Sequence, residues 1–176
     1  MAPSSRPSFS FSLLLLSAAS LLLAGGADAK FKGINNWCKT ADYRQLCTDM
    51  VKAAETQDEA LANAVQSTYD ATVRVLPLVD ALGTELTNLQ GETKTSVIDT
   101  CKSSFDDALD NLKEALTYMA AKDMHTAIDR IQTAEGHYYD CSDAIKQMGG
   151  NAESLSKASK VLYKYGSNCM AVATQT

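Results

Sequence analysis

The residues best equipped for chemistry lie in CKSSFDDALDNLKEAL, residues 101–116, where Asp106, Asp107, Asp110 and Glu114 share one short stretch. Two nearby carboxylates can serve as general acid and base, as in glycosidic hydrolysis, but they must then flank a cleft. Carboxylates three apart on one helix, with no cleft between them, form a solvated face. Other reactive groups are sparse. Cys169 could pair with His125 or His137 as a nucleophile and base. However, Cys169 recurs on an apolar stripe, and a thiol buried there is inert. No G-x-S-x-G elbow, H-E-x-x-H, phosphate-binding Gly loop or dinucleotide fingerprint is present, so enzyme chemistry has no motif to stand on. There is no C-x-x-C, and the two histidines lack ligand spacing to each other, so neither a metal nor a cofactor is expected.

The same stretch shows what must position these groups. Cys101, Phe105, Ala108, Leu109, Leu112 and Leu116 recur at steps of three and four, the spacing of a buried helical stripe. Four segments carry that pattern, at about residues 58–82, 93–120, 123–148 and 152–172. Their stripes include Leu61, Val65, Thr68, Thr72, Val79 and Leu82 in the first, and Ile131, Ala134, Tyr138, Cys141, Ile145 and Met148 in the third. Such seams predict an all-α, up-and-down four-helix bundle over 57–174. Gly83, Gly91 and the pair Gly149 and Gly150 fall between segments, where caps and turns belong. Asp123 suits an N-cap, and Asn151 with Ser154 suits the start of the last helix. Pro77 lacks a backbone donor and is expected to kink or split the first helix between Val73 and itself.

Residues 1–29 read as a secretory leader rather than part of the fold. Arg6 precedes an apolar run from Phe11 to Ala24, and Ala27, Asp28 and Ala29 form a small-x-small cleavage site. Residues 30–176 are then expected to be a single domain, with no membrane span in the mature form. Losing Arg6 and Asp28 leaves the net charge at the −5 of the whole chain. An acidic chain without a Lys/Arg block has no footprint for nucleic acid, and its acidic faces favour a basic partner. No N-x-[ST] sequon occurs.

Export makes the five cysteines informative, because disulfides persist in oxidising compartments. Cys38 and Cys47 lie close in sequence and predict a locally stapled helical hairpin over 30–55, which Trp37 is expected to pack onto another part of the chain. If the second and third helices form an antiparallel pair turning near Ala121, residues whose numbers sum to about 242 lie level. Cys101 and Cys141 sum to 242, the placement a bridge needs. The mirror rule about Gly149 and Gly150 sets Ala158 beside Cys141, with Cys169 about 16 Å further along. Two disulfides and a free, buried Cys169 are expected.

This frame of leader, cysteine spacings and bundle resembles the plant invertase and pectin methylesterase inhibitor family. CKSSFDDALDNL is similar to the C-x3-[YF]-x-DA-x-D-x-L signature of the methylesterase-inhibitor branch, and CKTADYRQLC resembles the family's first cysteine loop. The resemblance implies a non-enzyme, secreted to the apoplast or cell wall, that binds a pectin methylesterase one to one and blocks its substrate cleft. Carried over position by position, it implies contacts at Asp107, Asp110 and Asp143, with Lys113 and Glu114 flanking. Asp106 matches nothing. The invertase-inhibitor branch, whose members often carry Pro-Lys-Phe where this chain has Met124, His125 and Thr126, implies an acid invertase as the alternative partner. A non-inhibitory cell-wall member is the third reading. Thr40 stands two residues after Cys38 where the family usually has three, and Asp140 replaces the Thr common before the fourth cysteine.

Overall fold

The computed structural model describes residues 33–175; the leader expected at 1–29 lies outside them. A 3₁₀ turn (Asn36–Cys38) and α1 (Arg44–Val51) form the N-terminal hairpin. Four long helices follow: α2 (Gln57–Asp80), α4 (Gly91–Ala120), α5 (Met124–Gln147) and α6 (Glu153–Ala173), with a short α3 (Leu82–Glu85) after α2. No strand occurs among the described residues. The most extensive packing is between α4 and α5; α5 also packs on α6, α6 on α2 and α2 on α4, which closes a four-helix ring.

The α4–α5 seam is built from small residues at heptad spacing. Cys101, Ala108 and Ala115 on α4 and Ala127, Ala134 and Cys141 on α5 are all essentially inaccessible. Matched across the antiparallel pair, 101 with 141, 108 with 134 and 115 with 127 each sum to 242. Side-chain size at the contact sets how closely two helices approach. Here the Cα atoms of Cys101 and Cys141 stand 4.4 Å apart, joined by a disulfide. The second disulfide, Cys38–Cys47, closes the hairpin, and Cys169 is free and buried.

Larger side chains fill the space between the four helices. Phe105, Leu112, Ile131, Tyr138, Leu155 and Leu162 are almost wholly buried. Two polar links cross this core onto α2. The Tyr138 hydroxyl and Thr72 Oγ1 lie 2.6 Å apart, and Cys169 Sγ meets Thr68 Oγ1 at 3.3 Å. Both threonines donate to the carbonyl four residues back, so neither hydroxyl is stranded in the core. The hairpin is tied down by amides: Asn168 Nδ2 donates to the Tyr43 carbonyl, and Gln175 Nε2 to that of Trp37. Gln57 Nε2 donates to the carbonyls of Val172, Ala173 and Gln175, satisfying acceptors left open at the C-terminal end of α6.

Several local expectations change. α2 runs unbroken through Pro77 to Asp80. Val73 and Pro77 both lie on the exposed face, where water can satisfy the carbonyl that Pro77 leaves without a donor. Leu82 is buried as expected but opens α3 instead of ending α2. Met148 is half exposed, because it caps α5 and no longer follows the stripe. Gly149 (φ 69°) and Gly150 close that helix, donating to the carbonyls of Lys146 and Ile145, the Schellman arrangement that needs a left-handed residue. Asp123 caps α5 as expected, accepting from the Thr126 N–H and hydroxyl. Those bonds hold its carboxyl below the ordinary range. α6 starts differently: Ala152 is its N-cap, and Glu85 Oε2 of α3 accepts from the Ser154 N–H instead of a local side chain.

Enlarging a small seam residue should force α4 and α5 apart. Ala108→Leu or Ala134→Leu should each lose about 1–3 kcal/mol by overpacking, measured by denaturant unfolding. Asp106→Leu, on the exposed side of the same helix, should stay within about 0.5 kcal/mol of the parent.

Candidate functional site

On the outer side of the α4–α5 pair, polar groups are linked along α4 at one-turn steps. Ser103 Oγ donates to Asp107 Oδ2 at 3.3 Å. Asn111 Nδ2 donates to the Asp107 carbonyl at 2.8 Å, and Asn111 Oδ1 accepts from Arg130 Nη1 of α5 at 3.3 Å. Arg130 Nε then pairs with Glu114 at 3.0 Å. The guanidinium thereby pins two α4 side chains to α5 beside the small-residue seam. Both partners are partly solvated, so the pair orients the side chains more than it stabilises the fold.

Asp107, Asp110, Lys113, Glu114 and Asp143 are all exposed. Of these the structure links Asp107 and Glu114 through Asn111 and Arg130. Asp110 is nine residues from Cys101, about 180° around α4 from the seam, and Asp143 is two residues from Cys141, about 200° around α5. These two carboxylates therefore stand on the outer flanks of their helices and not beside each other. Asp143 pairs with Lys146 at 3.4 Å. Lys113 sits about 100° around the helix from Glu114, outside the Arg130 network. Between the flanks on α5, His137 Nδ1 lies 3.2 Å from Asp140. Sequence reasoning passed over Ser103, Asn111 and Arg130 as site residues. The level rule held the signal, since 111 with 130 and 114 with 130 sum to 241 and 244.

The face offers carboxylates and hydroxyls for recognition, with no nucleophile–base pair and no enclosing cleft. His125 pairs with Asp129 at 3.4 Å, not with Cys169. Burial pushes the Cys169 thiol up to about 12 despite the Thr68 contact. Among the described residues no group of three or more His, Cys, Asp or Glu side chains could hold a metal ion. No described helix is long and apolar enough to cross a membrane.

The raised Cys169 value has two consequences. The thiol should not react with a disulfide reagent at pH 8 until the chain is denatured, which a thiol titration with and without denaturant checks. Ionisation is disfavoured in the folded state, so this site's contribution is complete below the thiol's ordinary range and is lost as pH rises from about 9 towards 12. Cys169→Ala should flatten part of the alkaline fall in unfolding midpoint. Tyr138, also pushed up by burial, should add a further part of the fall at higher pH.

Residues 32–172 match the family described as plant invertase/pectin methylesterase inhibitor. The chain is 22% identical over 158 residues to "Probable pectinesterase/pectinesterase inhibitor 21" of Arabidopsis thaliana, covering 84% of this chain and 24% of that protein. It thus spans about a quarter of that relative's length. Two solved structures share the fold. One is a mutant form of a pectin methylesterase inhibitor from Arabidopsis (TM-score 0.64, 15% identity, 80% of this chain and 94% of the other). The other is a pectin methylesterase inhibitor from Arabidopsis thaliana (TM-score 0.59, 16% identity, 74% and 83%). The family and these structural neighbours are inhibitor proteins, not catalysts. With its match running from the hairpin to the last turn of α6, the chain belongs to the plant invertase/pectin methylesterase inhibitor family.

Proposed function

We propose that this protein is a secreted inhibitor of pectin methylesterase that forms a one-to-one complex and covers the enzyme's pectin-binding cleft with the outer face of α4 and α5. Family membership supports an inhibitor role. The observation that carries the finer reading is the signature stretch itself: it places Asp107 and Asp110 exposed on a helix clamped to its neighbour by a disulfide. In this reading Asp107, Asp110 and Asp143 contact the enzyme, with Lys113 and Glu114 flanking. The contact is broad, since Asp110 and Asp143 occupy opposite flanks of the pair. A cleft wide enough for a polysaccharide suits such a span.

Three further observations support parts of the proposal. Two disulfides suit an oxidising compartment, in keeping with an apoplastic or cell-wall location reached through the leader at 1–29. Both structural neighbours are named as methylesterase inhibitors. The family model names invertase as well, so an acid invertase is the second target to test.

Titrating the purified protein against a plant pectin methylesterase should abolish activity at one equivalent, while an acid invertase keeps its activity. Invertase inhibition alone would reverse the choice of target, and inhibition of neither would leave a non-inhibitory cell-wall protein. Asp107→Ala with Asp110→Ala should weaken inhibition by about tenfold or more if these are interface hot spots. Helicity should not change, since both residues are exposed and neither side chain supports the core. Raising salt should slow association, because rim carboxylates act largely through steering.

A further inference from the structure

A second feature lies between α5 and α6, bordering the proposed inhibitory contact at Lys146, the partner of Asp143. There a cavity of about 300 Å³ opens to solvent. Its floor includes the buried Tyr138 and Ser159. Tyr139 and Tyr163 stand on its walls, their rings edge to face with centroids 5.3 Å apart. Tyr43, from the N-terminal hairpin, closes one end, with the Lys164 ammonium 5.2 Å from its ring centre.

Ser159 is 5% exposed, and its Oγ has no hydrogen-bond partner among the described residues. A helical serine ordinarily bonds the carbonyl one turn back, and a buried hydroxyl left unpaired is destabilising. A second such atom, Asn168 Oδ1, lies elsewhere, and its amide nitrogen is engaged with Tyr43. Among the described residues, Ser159 combines an unpaired polar atom with this cavity.

Charge narrows the ligand. The chain is acidic overall, yet Lys146, Lys160 and Lys164 line this cavity and no carboxylate does. Lys146 is held by Asp143. Lys160 and Lys164 form no ion pair among the described residues. Aromatic walls, a deep unpaired hydroxyl and two ammonium groups without carboxylate partners favour an anion mounted on a ring. A volume near the lower end of ligand pockets, about 300–1,000 Å³, suits one ring with its substituents.

We infer that the α5–α6 cavity binds a small ring compound bearing a carboxylate and a hydroxyl. The carboxylate meets Lys160 and Lys164, the ring packs on Tyr139 and Tyr163, and the ring hydroxyl bonds Ser159 Oγ. Aromatic acids and sugar acids share this chemistry, so the test separates them. The purified protein, labelled with ¹⁵N, is titrated with 4-hydroxybenzoate, glucuronate, their neutral counterparts 4-hydroxybenzyl alcohol and glucose, and inorganic phosphate.

At least one of the two acids should give saturable amide shifts confined to residues around Tyr139, Ser159 and Tyr163, and the acid that does so names the source. Its neutral counterpart should bind at least about tenfold more weakly, a step of about 1.4 kcal/mol. Lys160→Ala with Lys164→Ala should cost the acid a similar factor. Ser159→Ala should weaken it about fivefold while leaving the thermal midpoint unchanged or raised, since the variant removes a buried hydroxyl that has no partner. The inference is overturned if neither acid shifts these amides at about 10 mM, a weak-binding concentration. It is equally overturned if phosphate shifts them as strongly as the acids, or if Ser159→Ala binds the acid as the parent does.

Discussion

The close approach of α4 and α5 is the constraint on which the other features depend. Three pairs of small residues, Cys101 with Cys141, Ala108 with Ala134 and Ala115 with Ala127, line one seam at heptad spacing. The bridge at one end of that seam is a consequence of the packing as much as a support for it. Two Cα atoms 4.4 Å apart require that nothing larger than a methyl group stand between the helices nearby. The disulfide in turn closes a loop of 40 residues, which in the chain-entropy account stabilises the fold by about 3–4 kcal/mol. Arg130 can reach Asn111 and Glu114 because the seam has already brought the two helices together.

Rigidity of this kind matters for a protein whose role is to bind. Association costs side-chain and backbone ordering, and a surface ordered beforehand loses less. The outer face of α4 and α5 is held by the seam, by the disulfide and by the Arg130 pair. The core behind it is fixed by Tyr138 on Thr72 and Cys169 on Thr68. The hairpin adds a further brace at the end of the bundle through Asn168, Gln175 and Gln57. In the proposed contact, carboxylates on such a scaffold need no pocket; they have only to be presented in register with the enzyme.

Much of this was legible because helical periodicity and antiparallel pairing are arithmetic. The four helices, the Asp123 cap and both disulfides follow from spacing, and the sum of 242 is informative because an antiparallel pair with a short turn has one register. The same sum contained the Arg130 network and the alanine pairs, although charge and size had to be considered together with position to see them. Other features were hidden because they join residues distant in sequence or depend on solvent. The Glu85 cap on α6 comes from 69 residues away, and nothing in the pattern near Ser154 points to it. Pro77 reads as a break unless one knows that Val73 faces water. Met148 falls at a stripe position, but the helix ends there. The α5–α6 cavity depends on Tyr43 from the hairpin, whose docking no periodicity describes. At the candidate face, Asp107 and Asp110 were reached through a motif, whereas their separation from Asp143 around the helices required the fold.

The central claim is that the exposed carboxylates of α4 and α5 meet the target enzyme directly. Carboxyl footprinting of the complex with a pectin methylesterase tests it, by labelling Asp and Glu side chains in the free and bound protein and reading each site by mass spectrometry. Asp107, Asp110 and Asp143 should be protected in the complex, while Asp49 on α1 and Asp70 on α2 label as in the free protein. A complex that forms with Asp107 and Asp110 still fully labelled would contradict the account.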